Sequence, residues 1–181
     1  EVGVGTGISL PDYSDKNALC GVDISEPMLL KAKERVAELG LAHVEGLWVM
    51  DAEHLDFPDA SFDAVVAQYV ITTVPNPEAT LDEFARVLKP GGEIILVSRV
   101  GAEAGLRRAL EKWFQPAARK LGWRTEFSFE RYSRWAARTD GVDIVERRSV
   151  PPFGHFSLIR FAKDGGVTAA NQNPLRASAA G

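Results

Sequence analysis

The sequence predicts an α/β domain in which helices cover a mostly parallel sheet. Short, nearly continuous apolar runs alternate with stretches whose apolar residues recur at helical spacing, and this alternation is typical of parallel sheets. Residues 64–67 and 94–97 lie in two such runs, as expected of strands that are buried on both faces. A chain of 181 residues is long enough to form one domain with a substantial core.

The elements of this domain can be assigned in order along the chain. Helices are predicted at residues 26–39 and 78–88; the first ends at Gly40, and the segment Lys89-Pro90-Gly91-Gly92 separates the second from the next strand. The chain starts inside what reads as a strand, so we expect the domain's first strand and helices to begin upstream of Glu1. Strands are predicted at residues 18–23, 43–50, 62–68, 93–99, 142–150 and 156–163.

The composition narrows the class of protein. A net charge of -4 gives no reason to expect a nucleic-acid partner, and the single cysteine, Cys20, suits a reducing cytosol. No run approaches the roughly 18 apolar residues of a membrane-spanning helix, and no His, Cys or carboxylate cluster predicts a metal site. We expect one domain over residues 1–163, with a helical insertion at about 104–138, and a disordered tail over 164–181.

A glycine-rich turn at the start of the chain predicts a nucleotide-like ligand. Residues 1–7 read EVGVGTG; glycines let the backbone approach a ligand closely, and we expect the N-terminal amides of a following helix to face it. The third glycine comes one residue earlier than in the dinucleotide motif. A carboxylate at Glu1 suits an ammonium group better than a pyrophosphate, which favours S-adenosylmethionine over NAD. An ordinary tight turn is the alternative. The predicted contacts are Glu1, Gly3, Gly5 and Gly7.

Two acidic residues extend this predicted site. Asp23 ends a strand, where a carboxylate can accept both ribose hydroxyls; the alternative is a cap on the next helix, which Ser25 can also provide. Asp51 can accept the adenine amino group while Ala52 offers its backbone N–H to a ring nitrogen, with a simple turn as the alternative. These positions share the carboxyl edge of the sheet, where ligands of open α/β sheets bind.

The first 99 residues resemble the class I S-adenosylmethionine-dependent methyltransferases. The resemblance is carried by residues 1–7, Asp23, DAEHLDFPD at 51–59, SFD at 61–63 and LKPGG at 88–92. It implies a Rossmann-like sheet of seven strands, mostly parallel with the last strand antiparallel, and helices on both faces. It also implies S-adenosylmethionine as cofactor, S-adenosylhomocysteine as product, and a position near the methyl donor for Gln68 and Tyr69. The further predicted cofactor contacts are Ile24, Met28 and Gln68.

Residues 106–138 are basic and aromatic. They hold nine Arg or Lys and three Glu, so they carry +6 while the rest of the chain carries -10. This composition suits an anionic membrane surface or a phosphate-bearing lipid. For residues 106–121 the alternative is a helix that packs its apolar stripe on the sheet and leaves a basic face in solvent.

Residues 1 to about 163 are also similar to the Rhodobacter-type bacterial phospholipid N-methyltransferases. The similarity is carried by AQYV at 67–70, VSRVGAE at 97–103, WFQP at 113–116 and PPFGHFSLIRF at 151–161. It implies methylation of phosphatidylethanolamine through its monomethyl and dimethyl forms to phosphatidylcholine. It further implies a cytoplasmic protein, bound peripherally to the inner face of the membrane, with an amphipathic helix upstream of Glu1. No obligate protein partner is expected.

This resemblance suggests roles at the methyl acceptor. Ethanolamine is an ammonium near neutral pH and must lose a proton before it attacks, and His155 is the titrating candidate unless it is only a structural loop residue. Tyr69 can orient the amine through its hydroxyl or its ring face. Arg99 can hold the lipid phosphate, with Arg131 and Tyr132 as weaker helpers, although a surface ion pair is the alternative for Arg99.

Two other functions stay open. The first half of the chain is shared with enzymes that methylate quinone precursors or other small molecules. A membrane-associated protein that binds S-adenosylmethionine without catalysis is the remaining alternative. Residues 67–72 read AQYVIT and lack the Asn-Pro-Pro-Tyr type of motif used for planar amines, which counts against methylation of nucleic acid bases.

Overall fold

A mixed β-sheet with helices on both faces forms the part of the chain that a computed structural model describes, namely residues 1–99, 128–150 and 156–165. Every predicted strand and helix in these ranges is confirmed, most within two residues of the predicted bounds. The strands are β1 (Leu19–Asp23), β2 (Val44–Val49), β3 (Phe62–Gln68), β4 (Leu88–Arg99), β5 (Val142–Val150) and β6 (Phe156–Lys163). The helices are α1 (Glu26–Leu39), α2 (Pro77–Val87) and α3 (Phe129–Arg138).

Some predictions lie outside the described residues. These are the part of the predicted insertion over residues 104–127, the loop residue His155, and residues 166–181 of the predicted tail.

The sheet is parallel at one end and mixed at the other. β1 pairs with β2 and β3 with β4 in parallel, whereas β6 runs antiparallel to both β4 and β5, as predicted for the last strand. The described residues contain six strands, so the predicted count of seven is not confirmed. Val2 joins the two parts of the sheet, because it forms parallel bridges with both Val22 and Ala67.

Two local predictions need correction. The Lys89–Gly92 segment does not end the second helix ahead of a separate strand; it lies inside β4, where a register shift opposite residues 62–64 of β3 accommodates the extra residues. Ser25 occupies the N-cap position of α1, but its side chain makes no capping hydrogen bond. The predicted end of α1 is confirmed, since Gly40 adopts the left-handed conformation at φ 62°.

Alternating residues of the strands bury two clusters on opposite faces of the sheet. Leu19 of β1 packs with Leu29 and Ala32 of α1 in the smaller cluster. Val22, three residues along the same strand, belongs to the larger cluster beneath α2 and α3. There the ring of Trp135 contacts Phe161 edge-on, at 5.2 Å between centroids. The helices therefore cover both faces, and the residues that follow β1 and β3, Ile24 and Tyr69, are exposed within the described ranges.

Candidate active site

The glycine turn adopts a backbone shape that other residues would not accept. Gly3 and Gly5 have φ of 74° and 56°, in the left-handed region that favours glycine. A side chain at position 3 would overlap Val70, whereas the space around position 5 is open. No α-helix follows the turn, contrary to our expectation: Leu10–Asp12 form a single 3₁₀ turn. Pro11 and the polar residues up to Asn17 give the chain little helical propensity there.

Asp23 connects the end of β1 to the glycine turn. Its Oδ2 atom accepts a hydrogen bond of 2.8 Å from the backbone N–H of Gly5, and its Oδ1 atom accepts one of 2.8 Å from Ser25. Each carboxylate oxygen has a second lone pair, so Asp23 can order the turn and still accept ribose hydroxyls. The exposed apolar side chains of Ile24 and Met28 follow directly, at 71% and 48% exposure; such surfaces suit the flat face of a base.

Asp51 lies in a turn at the carboxyl end of β2. Its Oδ1 atom accepts the backbone N–H of Glu53 at 2.9 Å, and its side chain is otherwise exposed next to the buried Ala52. Both the adenine contact and the simple turn are compatible with this placement. Glu53, which the sequence did not single out, accepts hydrogen bonds of 2.8 and 2.9 Å from the backbone N–H and side-chain amide of Asn76. It thereby ties this turn to the start of α2.

Glu1 and Gln68, predicted separately, are brought together across the sheet. The side-chain amide of Gln68 donates to Oε1 of Glu1 at 3.4 Å. The hydroxyl of Ser9 lies closer, at 2.7 and 2.9 Å from the two carboxylate oxygens. Sequence reasoning missed Ser9, because its contact depends on how the chain turns back after Gly7.

An aromatic pair marks the carboxyl ends of β3 and β4. Tyr69 is 49% exposed and has φ of 63°, a strained value for a residue other than glycine. Its backbone N–H donates to the carbonyl of Val97 at 2.7 Å, and its ring meets Phe156 edge-on at 5.0 Å. Arg99 pairs in register with Phe156. The exposed Arg99 side chain makes no hydrogen bond or ion pair with the residues that the structure describes.

Arg131 and Tyr132 lie elsewhere, between α3 and the rest of the domain. Arg131 forms two hydrogen bonds of 2.6 Å with the carboxylate of Glu78 in α2, which lowers the pKa of Glu78. Tyr132 is fully buried, which raises its pKa, and its hydroxyl donates to Ser98 at 2.9 Å. A substrate cannot reach Tyr132 in this arrangement, and Arg131 is engaged by Glu78. We therefore give both a packing role in place of the predicted phosphate contact.

The described residues form neither a metal-binding cluster nor a membrane-spanning helix. No group of three or more His, Cys, Asp or Glu side chains in residues 1–99, 128–150 and 156–165 is arranged to hold a metal ion. Across the same ranges, no helix is long and apolar enough to cross a membrane.

The sequence similarity of this chain to known proteins identifies its family. Residues 1–96 match the family described as a methyltransferase domain. The chain is 42% identical, over 163 residues, to the phosphatidylethanolamine N-methyltransferase of Cereibacter sphaeroides, with 90% of this chain and 78% of that protein covered. The chain belongs to the S-adenosylmethionine-dependent methyltransferases.

Other relatives of this methyltransferase differ in what they are named for. The demethylmenaquinone methyltransferase of Bacillus cytotoxicus is 33% identical over 156 residues, covering 86% of this chain and 61% of that protein. A solved S-adenosylmethionine-dependent methyltransferase from Methanosarcina mazei superposes with a TM-score of 0.69 at 23% identity, over 90% of each chain. At that identity the superposition establishes the shared fold.

The cofactor of this methyltransferase is S-adenosylmethionine, and the described residues fit it. The open space at Gly5 leaves room for a ligand beside the backbone. Asp23 and Glu1 supply carboxylates on two neighbouring segments, in keeping with a ligand that has hydroxyls at one place and an ammonium at another. The apolar side chains of Ile24 and Met28 border the same edge.

Proposed function

We propose that this methyltransferase N-methylates phosphatidylethanolamine, in steps through the monomethyl and dimethyl forms to phosphatidylcholine. The observation that carries the proposal is the 42% identity, over 90% of this chain, to an enzyme named for that substrate. The arrangement of Tyr69, Phe156 and Arg99 supports it, because an aromatic surface and a cation with no partner among the described residues suit the ammonium and the phosphate of one zwitterionic head group.

The cofactor is proposed to lie along the carboxyl edge from β2 to β3. In this arrangement Asp51 and Ala52 face the adenine, and Asp23 accepts the ribose hydroxyls. The amino acid end reaches the glycine turn, where Glu1 accepts its ammonium and Gln68 lies beside it at the end of β3. This order follows the order of the strand ends in the sheet.

At the acceptor, the residues of this chain mainly position and deprotonate the amine. The bound cofactor supplies a methyl group that is already activated by its sulfonium, so no strong catalyst of bond cleavage is needed. Tyr69 is proposed to orient the amine, and Arg99 to hold the phosphate. His155, which lies outside the described residues, is proposed to accept the proton that the ammonium must lose.

Membrane association of a cytoplasmic, peripherally bound protein is part of the proposal. In α3, Arg131 and Arg138 pair with acids of α2, and Tyr132 and Trp135 are buried, so Arg134 is the most exposed basic residue of this helix. The proposal therefore depends on the basic residues between positions 106 and 127. Their positive charge suits an anionic bilayer surface.

Methylation of a quinone precursor is a second candidate. The 33% identity to a demethylmenaquinone methyltransferase, over 86% of this chain, favours it. The two candidates share the cofactor site and differ in the methyl acceptor that would contact Tyr69 and Arg99.

The test is a lipid assay with the full-length protein and S-adenosylmethionine labelled in its methyl group. Liposomes of phosphatidylglycerol with phosphatidylethanolamine are compared with liposomes of phosphatidylglycerol alone, which keep the negative charge but offer no amine. Label in mono-, di- and trimethylated lipid, separated by thin-layer chromatography, supports the proposal. If an added quinone precursor becomes labelled and the lipid does not, the second candidate is selected. Cofactor binding without transfer to either acceptor overturns both.

A further inference from the structure

The carboxylate of Glu1 is surrounded by side chains from three separate segments. Ser9 donates its hydroxyl to the carboxylate from one side, at 2.7 and 2.9 Å, and the amide of Gln68 approaches Oε1 from the other, at 3.4 Å. The hydroxyl of Tyr13 is buried close to the same carboxylate. We refer to Glu1, Ser9, Tyr13 and Gln68 as the Glu1 cluster.

The hydroxyl of Tyr13 is a buried donor beside this carboxylate. Burial, together with the negative charge of Glu1, raises the pKa of its hydroxyl, so Tyr13 keeps its proton at neutral pH. The hydroxyl makes no well-formed hydrogen bond within the part of the chain that the structure describes. A buried donor without an acceptor lowers the stability of the folded protein, and the Glu1 carboxylate is the nearby acceptor.

The 3₁₀ turn after the glycines places both hydroxyls. Ser9 precedes the turn and Tyr13 ends it, with its backbone N–H donating to the carbonyl of Leu10 at 3.4 Å. Leu10 is fully buried in the cluster beneath α1, and its carbonyl contacts the ring Nε2 of His43 at 3.1 Å. Because the turn is anchored in this way, Ser9 is held at hydrogen-bond distance from the Glu1 carboxylate, and Tyr13 follows at the end of the same turn.

We propose that Ser9 and Tyr13 are positioning residues that hold the Glu1 carboxylate in the orientation that accepts the cofactor's ammonium. The inference rests on the assignment of Glu1 to the amino acid end of the cofactor under Proposed function. A carboxylate has about four acceptor sites, so the two hydroxyls and Gln68 leave room for the ammonium. A carboxylate that is ordered before binding loses less conformational freedom when the ligand arrives.

The test compares two ligands that differ only at the amino acid end. S-adenosylhomocysteine carries the ammonium and the carboxylate of the amino acid end, and 5′-methylthioadenosine keeps the adenosine and the thioether but lacks that whole end. We expect Ser9→Ala to weaken the affinity for S-adenosylhomocysteine about tenfold and Tyr13→Phe to weaken it about threefold. The affinity for methylthioadenosine should change less than about twofold. Ser9→Thr, which keeps the hydroxyl, should restore the affinity. The control is Ser14→Ala, which removes an exposed hydroxyl from the same loop.

The outcomes separate this inference from the assignment on which it rests. If Ser9→Ala weakens both ligands equally, or neither, Ser9 only stabilises the loop and the inference is overturned. If Glu1→Gln weakens S-adenosylhomocysteine selectively while Ser9→Ala does not, the assignment of Glu1 stands and the positioning role alone fails. If Glu1→Gln has no selective effect, the assignment fails and the inference with it. None of these results depends on the methyl acceptor.

Discussion

The backbone N–H of Gly5 donates a hydrogen bond of 2.8 Å to the carboxylate of Asp23. The glycine turn and the acid at the end of β1 are therefore one structural unit, although 18 residues separate them in the chain. A change at Asp23 should act on the cofactor both directly, through the ribose hydroxyls, and indirectly, through the shape of the turn.

Replacing Asp23 by Asn should weaken S-adenosylhomocysteine by about tenfold or more, because an amide accepts fewer hydrogen bonds and turns a donor toward the N–H of Gly5 or Ser25. Isothermal titration calorimetry measures this directly. The matched control is Asp56→Asn, an exposed aspartate without a hydrogen bond in the described ranges. Unchanged affinity in the Asp23 variant would remove Asp23 from the cofactor site.

Tyr69→Ala should raise KM for the methylated lipid forms about fivefold, because a ring face contributes roughly 1 kcal/mol to holding an ammonium. The affinity for S-adenosylhomocysteine should stay unchanged. Tyr69→Phe then separates the two proposed modes: activity is kept if the ring face orients the amine and lost if the hydroxyl does. Wild-type kinetics in Tyr69→Ala would exclude both modes.

His155→Ala should lower kcat for phosphatidylethanolamine and leave the dissociation constant of S-adenosylhomocysteine unchanged, since the proposed proton transfer takes place at the acceptor. A loss of about a hundredfold is typical of a removed general base. Full turnover in the His155 variant would reduce this residue to a loop-packing role.

Glu78→Gln should lower the free energy of unfolding by about 1 kcal/mol at pH 7, a modest value because both partners of the Arg131 pair are about one-third exposed. The hydrogen bonds from Arg131 lower the pKa of Glu78 in the folded state. The contribution is therefore complete above the unfolded value of about 4.3, and it is lost as the pH falls through the folded pKa.

Urea unfolding of wild type and Glu78→Gln between pH 3 and pH 7 measures this difference. Glu130→Gln is the control, because its pair with Arg134 is long, at 3.8 Å, and exposed. A destabilisation of the same size at every pH would mean that the charge of Glu78 is not what matters. The same variant should leave KM for lipid unchanged, in agreement with a packing role for Arg131.

Replacing the basic residues of the first half of the predicted insertion by Gln should reduce co-sedimentation with anionic vesicles, since each cation near such a surface contributes about 1 kcal/mol. Arg138→Gln and Arg148→Gln form the control, because both arginines pair with acids in the described structure. Equal sedimentation of the insertion variant and wild type would contradict membrane contact through this segment. The residues to replace are Arg107, Arg108, Lys112, Arg119 and Lys120.

Local signals explain which parts of the fold could be predicted. The bounds of α1 were predicted as observed, because its apolar spacing and its terminal Gly40 are both properties of the immediate sequence. The role of the Lys89–Gly92 segment was not, since only pairing with β3 shows that a strand can absorb the extra residues through a shifted register. A glycine and proline pair indicates a bend and does not say on which side of a strand boundary it lies.

The site divides in the same way. The place of Asp23 beside the glycine turn could be predicted, because it ends a strand at the same edge of the sheet; the cofactor contacts of Asp23 and Glu1 stay predictions. Ser9 could not, since it reaches Glu1 only through an anchored 3₁₀ turn. Arg131 and Tyr132 were assigned to the substrate because basic and aromatic residues look alike in sequence whether they bind a lipid or pack. Their partners, Glu78 and Ser98, lie 53 and 34 residues away.

The backbone of Tyr69 limits which residues can replace it at the proposed acceptor site. At φ 63° a β-branched residue is strongly disfavoured, and glycine or asparagine are the replacements with the least backbone strain. Neither has an aromatic ring, so a substitution that relieves the backbone strain at this position also removes the ring. Phe156 lies in an ordinary strand and touches the same ring. The shape of the proposed acceptor site can therefore be varied at position 156 with less backbone strain than at position 69.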